Sequence, residues 1–212
     1  MFGFTNEILM LFAAIFFLAA FIHGSTGFGF PMVATPLLAL VSDIQTAILL
    51  TLIPTFVVNL VTITSEGRFK QAVRNHLALA LLAMVGAGAG TLILIFSTTA
   101  FFELLLAVAI VVYLLADKIR LNLEWIREHP RYSRLIFGIT AGVLGGLTNV
   151  MAPVLIIYAV ESRYSKSDLI QASNMCFLLG KLIQLILFSY HGRFTFSELS
   201  TSAIMILSLI HI

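Results

Sequence analysis

Charged side chains are scarce in this sequence. Only 10% of the 212 residues are Asp, Glu, Lys or Arg, while 60% are hydrophobic and the mean hydropathy is +1.06. Soluble domains carry roughly 25% charged residues, because a surface in water has to be covered with solvated groups. The composition therefore excludes a soluble globular protein and indicates one that lies in a lipid bilayer.

The sequence also lacks the residue patterns that most catalytic and metal sites need. Cys176 is the single cysteine, which excludes an internal disulfide and a multi-cysteine metal cluster. No HExxH motif occurs, the hydrophobic segments contain no pair of acidic residues, and Ser25 has only His23 near it as a base. No basic stripe interleaved with aromatic residues indicates nucleic acid. We therefore predict no enzymatic activity, no metal or other cofactor, and no nucleic-acid partner.

Long apolar stretches dominate the sequence instead. A membrane-spanning helix needs about 20 predominantly apolar residues. Seven such segments can be read, at 7–41, 44–63, 77–96, 100–115, 135–159, 169–188 and from about 196 onward. The first and the fifth are interrupted by glycine and proline. We predict an all-α, polytopic transmembrane helix bundle with about seven segments present and eight expected at full length, in two homologous halves with broken first helices.

The positions of Lys and Arg predict the orientation in the membrane. Cytoplasmic loops carry an excess of positive charge, and the basic residues concentrate in the loop with Arg68, Lys70 and Arg74 and in the loop 117–134. We predict that both loops lie inside, in a multi-pass protein of the cell membrane, specifically the bacterial inner membrane. The loop 161–168 then falls outside.

A weak internal repeat divides the chain. The spacing from Gly29 to Pro36 matches the spacing from Gly146 to Pro153. Four spans in each half would make the repeat parallel, whereas re-entrant hairpins at the interruptions would make it inverted, and both alternatives stay open. The predicted units are a first transmembrane half at 1–116, a basic cytoplasmic loop at 117–134 and a second half at 135–212.

The carboxyl end has an unusual sequence. Residues 207–212 resemble one reading frame of an adapter used in DNA sequencing libraries. We therefore expect the second half to be truncated and these six residues to be a sequencing artefact; the alternative is that they are ordinary apolar helix.

The two interruptions carry the functional hypothesis. Proline removes a backbone donor and glycine leaves helical geometry cheaply, and backbone freed in this way inside a membrane has to lie in protein or line a wet cavity. Close helix packing would explain a single glycine cluster. Two breaks at corresponding places indicate the central site of a transporter, where half-helix N-termini suit an anion. The expected site residues there are Gly24, Ser25, Thr26, Gly27, Gly29, Pro36, Gly145, Gly146, Thr148, Asn149 and Pro153.

The same two stretches resemble the signatures of a known family. His23-Gly-Ser-Thr-Gly-Phe-Gly-Phe-Pro31 is similar to the first signature of the sulfite exporter TauE/SafE family of membrane permeases, and Gly142-Val-Leu-Gly-Gly-Leu-Thr-Asn149 is similar to the second. The resemblance covers the chain in segment order and spacing. It implies a duplicated helical bundle that moves small anions such as sulfite, organosulfonates or related sulfur compounds. One departure is that residues 150–152 are Val, Met and Ala where the family often has glycine, which would narrow or reshape that half of the site.

Polar residues in the middle of the sixth segment extend the hypothesis. Asn174, Lys181 and Gln184 project broadly to one helix face, because steps of three, four and seven residues share a face. A charge in the middle of a membrane is costly and by default indicates function. We therefore predict that Lys181 holds an anionic substrate and that Asn174 contributes to the same site. The alternative is that Lys181 snorkels to the interface.

Three further polar residues lie in or beside the apolar segments. His23 is either a proton-coupling group or a packed, hydrogen-bonded histidine. We expect His76 to be solvated at the membrane border and Asn59 to bond across helices.

These observations predict a secondary transporter or exporter of small anions that has no ATP-binding motif of its own. Its partners would be the lipid bilayer and a small anionic substrate, and the sequence is compatible with proton or ion coupling and with a homo-oligomer. Two alternatives stay open: transport of another small solute such as an amino acid or organic acid, and a membrane assembly factor that transports nothing.

Overall fold

The computed structural model describes residues 5–65, 69–97, 100–115 and 123–209. Within these ranges the chain forms ten α-helices, a short 3-10 helix and no β-strand, which confirms the all-α prediction. The α-helices are α1 (Asn6–Thr26), α2 (Phe30–Ala39), α3 (Ile44–Ser65), α4 (Phe69–Phe96), α5 (Ala100–Leu115), α6 (Trp125–Glu128), α7 (Pro130–Thr148), α8 (Ala152–Glu161), α9 (Lys166–Tyr190) and α10 (Phe196–Ile204). The expectations for Arg68, for 117–122 and for 210–212 lie outside the described residues.

Among the described helices, four are long and apolar enough to cross a membrane, by length and composition: α1, α3, α4 and α9. The helices α2, α5, α8 and α10 are apolar but shorter. Large apolar side chains such as Phe21 and Leu104 are exposed on the outside of the bundle. An apolar surface of this extent needs lipid and not water around it, so the predicted polytopic membrane bundle is confirmed.

Both predicted interruptions are helix breaks. Between α1 and α2, Gly27 has φ 86° and Gly29 has φ 99°, and between α7 and α8, Asn149 has φ 64°. Glycine adopts this left-handed conformation without steric cost, and asparagine tolerates it better than other side chains. The breaks fall at the carboxyl edge of the glycine clusters, so Gly24 to Thr26 and Gly145 to Thr148 remain helical.

The second break turns the chain back on itself. The ring centroid of Phe137, in the first half of α7, lies 5.6 Å from that of Tyr158, near the end of α8. The two helices therefore run antiparallel as a hairpin. Beyond α8, the ring of Tyr164 lies 5.5 Å from that of His76, which is in the first third of α4. The hairpin thus enters and leaves the bundle at one end.

Helices α4 and α9 run in the same direction. Near their starts, His76 Nε2 lies 3.5 Å from Asp168 Oδ1. Near their ends, Arg193 donates a hydrogen bond of 2.8 Å to the carbonyl of Ile95. Helix α3 runs the opposite way, because Gln45 at its start donates to the carbonyl of Leu94 at the end of α4, at 2.8 Å. It follows that α3 and α9 are antiparallel.

The antiparallel arrangement of α3 and α9 makes the repeat inverted. The helices α1 to α3 match α7 to α9 at one constant spacing: α1 and α7 end at Thr26 and Thr148, α2 and α8 span Phe30–Ala39 and Ala152–Glu161, and α3 and α9 begin at Ile44 and Lys166. The register differs from the predicted one, because Pro153 corresponds to Pro31 and not to Pro36. The boundaries of the halves, 1–116 and 135–212, stay predictions.

The prediction that the loop 161–168 lies outside, away from the basic loops, is wrong. Because α7 and α8 form a re-entrant hairpin, this loop returns to the end of the bundle where α4, α7 and α9 begin. Lys70, Arg74 and Arg131 lie near that end, and Arg163 and Lys166 join them. We call it the basic end.

Cysteine labelling tests this topology. In a Cys176→Ala background, we expect Lys166→Cys and Arg131→Cys to react with a membrane-impermeant maleimide from one side of the membrane, and Asp43→Cys to react from the other. All three positions are exposed. Labelling of Lys166→Cys and Asp43→Cys from the same side would contradict the re-entrant hairpin.

Small residues hold α4 and α7 in close contact. A Cβ atom on Gly142 would collide with the Ala83 carbonyl and lie 2.8 Å from Ala87 N, and one on Gly146 would collide with the Ala87 carbonyl. In lipid, the hydrophobic effect does not drive helices together, and van der Waals contact between closely spaced backbones stabilises their packing instead. The two helices therefore form a rigid support for the second break.

We expect Gly142→Ala to destabilise the protein by about 1–3 kcal/mol, because the added methyl group forces the two backbones apart. Gly88→Ala is the matched control on α4, since its Cβ would meet only Ile183 Cγ1, at 3.4 Å. Thermal unfolding in detergent measures both variants. Equal unfolding temperatures for the two variants would show that the contact between α4 and α7 is looser than described.

Candidate functional site

Asn149, at the second break, lies at the centre of a buried polar cluster. Its Nδ2 donates to Thr35 Oγ1 and to Thr51 Oγ1, both at 2.9 Å. These threonines belong to α2 and α3, in the other half of the repeat. Its Oδ1 accepts a hydrogen bond from the Lys181 ammonium. The left-handed backbone of Asn149 therefore directs one side chain to both halves of the bundle.

Lys181 is the only ionisable residue among the described members of this cluster. It is 2% exposed and donates to Asn149 Oδ1 and to Gln184 Oε1, and Gln184 Nε2 donates to the Gly146 carbonyl at 3.2 Å. No carboxylate within the described ranges lies within ion-pair distance of the ammonium. Lys181 does not snorkel to the interface, and its charge faces neutral oxygen atoms.

The first break is held by the same helix, α9. Asn174 Nδ2 donates to the Gly27 carbonyl at 2.7 Å and to the Ile170 carbonyl at 2.8 Å. Asn174 Oδ1 and the Ser173 hydroxyl are buried, and in the described part of the chain neither has a hydrogen-bond partner. Asn174 and Lys181 are seven residues apart, about 10 Å along the helix. One helix therefore connects the two breaks, and each break bonds to a helix of the opposite half.

One family of known proteins matches this chain. The sequence model of the sulfite exporter TauE/SafE family matches residues 12–212, which is nearly the whole chain. The chain belongs to the sulfite exporter TauE/SafE family. The family is one of membrane transporters for anions of the sulfur-containing type, so this protein is a multi-pass membrane transport protein. No curated protein and no solved structure matches the chain.

Several expected site residues of this TauE/SafE protein do not reach the Lys181 cluster. Gly24, Ser25 and Thr26 are exposed, and the two hydroxyls donate to the carbonyls of the preceding turn, at 2.8 Å and 2.9 Å. Thr148 bonds to the Leu144 carbonyl in the same way, at 2.8 Å. The physical reason is that serine and threonine in a helix satisfy themselves locally. Pro36 is half-buried within α2 and is not part of either helix break.

Other expected residues shape the breaks through their backbone. Gly27 and Gly29 adopt the left-handed turns, and Pro153 occupies the first turn of α8. Gly146 supplies a carbonyl oxygen to Gln184. Gly145 leaves room for the Met151 side chain, which a Cβ there would strike. These residues therefore position the cluster without adding side-chain donors.

Two expectations about polar residues are wrong. His76 is buried, at 4% exposure, instead of solvated, because the hairpin brings Asp168 and Tyr164 onto it. Asn59 donates to the Thr55 carbonyl of its own helix at 2.7 Å, and it makes no bond across helices to any residue that the structure describes. For His23 the geometry fits the packed alternative, since Nε2 lies 3.0 Å from Thr62 Oγ1 and Nδ1 accepts from Phe30 N at 3.4 Å.

The sequence analysis missed Thr35 and Thr51. Both are fully buried, and Thr51 also donates to backbone carbonyls of its own helix at 3.0 Å. Nothing local distinguishes them from Thr46 or Thr55, because each lies in an apolar helix. Their positions, five residues after the start of α2 and seven residues after the start of α3, become informative only once the repeat register is known.

Proposed function

We propose that this protein moves sulfite or a closely related small sulfur oxyanion across the membrane as a secondary transporter, with the substrate held beside Lys181 between the two breaks. The observation that supports this most strongly is the buried Lys181 ammonium, whose described partners are neutral side-chain oxygens. A buried charge without a counter-ion is costly. An anionic substrate would supply that counter-ion.

The groups around Lys181 suit an oxyanion. The ammonium has three N–H donors, and Asn149, Thr35 and Thr51 carry further N–H and O–H groups that would turn toward an anion. Half-helix N-termini at α2 and α8 add the positive end of a helix dipole at each break. Charge and hydrogen-bond donors therefore converge on the boundary between the halves.

The side chains of this cluster are closed off from solvent, with Asn149 1% and Lys181 2% exposed. Transport by alternating access requires such an occluded arrangement between two open ones. The hydrogen bonds from Asn149 to Thr35 and Thr51, and from Asn174 to Gly27, join opposite halves and would have to break on opening.

We place the basic end in the cytoplasm of a bacterial cell, following the positive-inside rule. Proton or ion coupling and a homo-oligomer are compatible with this proposal.

Uptake into proteoliposomes tests the proposal. Purified protein is reconstituted, and entry of sulfite is compared with entry of chloride and with protein-free liposomes. We expect sulfite uptake that saturates and that excess unlabelled sulfite inhibits. Sulfite entry equal to that of protein-free liposomes would refute the proposal, and entry of chloride at the same rate would refute the selectivity.

Met151 offers a test of substrate size. Its side chain fills the space beside Gly145, and a Cβ on Gly180, next to Lys181, would lie 3.3 Å from Met151 Cε. We expect Met151→Ala to raise uptake of a bulkier sulfonate relative to sulfite by about tenfold, since a few lost methylene contacts are worth 1–3 kcal/mol. Leu182→Ala, on the half-exposed side of α9, is the control. An unchanged ratio in Met151→Ala would place the substrate elsewhere.

A further inference from the structure

A polar cavity of about 120 Å³ opens at the basic end, between α4 and the start of α9. Its polar lining consists mainly of Gln71, Asn75, His76, Ser165, Asp168 and Gln171. None of these residues belongs to the cluster around Lys181. The cavity therefore has to be explained separately from the central site.

His76 is the feature of this cavity that points to a ligand. Nε2 faces Asp168, but Nδ1 is buried and, among the residues that the structure describes, has no hydrogen-bond partner. Leaving a buried polar nitrogen unpaired costs free energy. The ring is held in place by Asp168 on one side and by the Tyr164 ring on the other. Because the proton of Nε2 faces the Asp168 carboxylate, Nδ1 is an acceptor, and a ligand hydroxyl in the cavity would satisfy it.

Asp168 is also fixed in its orientation. Ser165 Oγ donates to Asp168 Oδ2 at 2.6 Å, and Asp168 N donates to Ser165 Oγ at 3.1 Å, which caps α9. The other carboxylate oxygen faces His76. The carboxylate repels a dianion, so the cavity favours a monoanion that still carries a proton and would donate it to His76 Nδ1. The amides of Gln71 and Asn75 supply donors for the remaining oxygens.

The surroundings of the cavity connect it to the solvent and to the first break. Lys70 and Arg74 line an adjoining depression that shares Gln71 with the cavity. Such a basic rim raises the local concentration of anions. On the inner side, Gln171 lies one helical turn before Asn174, which bonds to the Gly27 carbonyl. The cavity thus lies between a basic surface and the first break.

We propose that this cavity is an entry site that binds a small, singly protonated oxyanion at the basic end before it reaches Lys181. This inference rests on the proposed transport function. The His76 and Asp168 pair orients the ligand, the amides of Gln71 and Asn75 bind it, and Lys70 with Arg74 attract it from solution.

Transport from each side of the membrane tests the entry site. The double variant Gln71→Ala with Asn75→Ala removes two exposed amides without changing the charge, and alanine favours the helix. Uptake of sulfite is measured in membrane vesicles of both orientations. In vesicles whose external medium contacts the basic end, we expect the sulfite concentration for half-maximal uptake to rise about tenfold, because two hydrogen bonds are lost. In vesicles of the other orientation it should not change. Asn6→Ala, an exposed amide on α1 outside the cavity, is the matched control.

An unchanged half-saturating concentration at the basic end, or an equal rise from both sides, would overturn the entry site while leaving the proposed function standing. If the unmodified protein moves no sulfite from either side, the proposed function fails. In that case, calorimetric measurement of sulfite binding to the purified protein tests whether the entry site exists. One fewer sulfite bound by the double variant supports the site, and the same stoichiometry as in the unmodified protein rejects it.

Discussion

Lys181→Met is expected to reduce sulfite uptake by about 100-fold or more, because losing one member of a buried charge interaction typically costs 2–5 kcal/mol. Methionine has a similar length but no charge, so a bound anion would lose its counter-ion. Lys181 has no ionic partner among the described residues, and replacing buried charged groups with apolar side chains of similar volume is often neutral or stabilising. We therefore expect the thermal unfolding temperature in detergent to stay the same or to rise, which separates loss of function from loss of fold.

Lys166→Met is the matched control for this substitution. Lys166 lies on the same helix, α9, but is exposed in its first turn. The control should keep uptake within about twofold of the unmodified protein, as surface substitutions away from a site usually have effects within 0.5 kcal/mol. Uptake by a folded Lys181→Met protein at the unmodified rate would remove Lys181 from the transport path.

The second large effect is expected for Asn149→Asp. This change places a carboxylate on the atom position that already accepts from the Lys181 ammonium. An internal ion pair would then compete with the substrate for Lys181. We expect sulfite uptake to fall by about 100-fold, whereas the unfolding temperature should rise because the buried charge gains a partner. The hydroxyls of Thr35 and Thr51 would have to turn to donate to the new oxygen.

Asn149→Gly separates this charge effect from the loss of the asparagine side chain. Glycine keeps the left-handed backbone at φ 64° and removes every hydrogen bond of the Asn149 side chain. We expect an intermediate loss of uptake together with a lower unfolding temperature, the opposite stability change to that of Asn149→Asp. An Asn149→Asp protein that is less stable than Asn149→Gly would contradict the position assigned to the Lys181 ammonium.

Much of the site follows from local properties of the sequence. The interruption around Gly27 and Gly29 could be predicted because glycine makes left-handed backbone cheap, and Lys181 could be singled out because a charge in an apolar segment is costly. The roles predicted for Ser25 and Thr26 stay predictions, because in this structure the two side chains do not reach the Lys181 cluster. Their hydroxyls bond to the preceding helical turn, and the sequence contains no signal for which way a hydroxyl turns.

The re-entrant hairpin of α7 and α8 shows where prediction from local sequence ends. A segment of 25 residues with a glycine cluster fits both a kinked span and a hairpin, since both have the same composition. The contact between Phe137 and Tyr158 shows that the segment is a hairpin. The hairpin in turn decides at which end of the bundle the loop 161–168 lies. The burial of His76 against Asp168 results from the same hairpin, and the sequence on either side of these two residues does not predict it.

By itself, the sequence determined that this protein lies in a membrane, where its helical segments are interrupted, and that one lysine falls in the middle of an apolar segment. These properties depend on hydrophobic length and on backbone preferences that act over a few residues. Only the tertiary structure decided that the halves are inverted and that Asn149 bonds to Thr35, 114 positions away. Such a bond depends on how α4 packs on α7 and α9, and therefore on the combined shape of many side chains and not on any single segment.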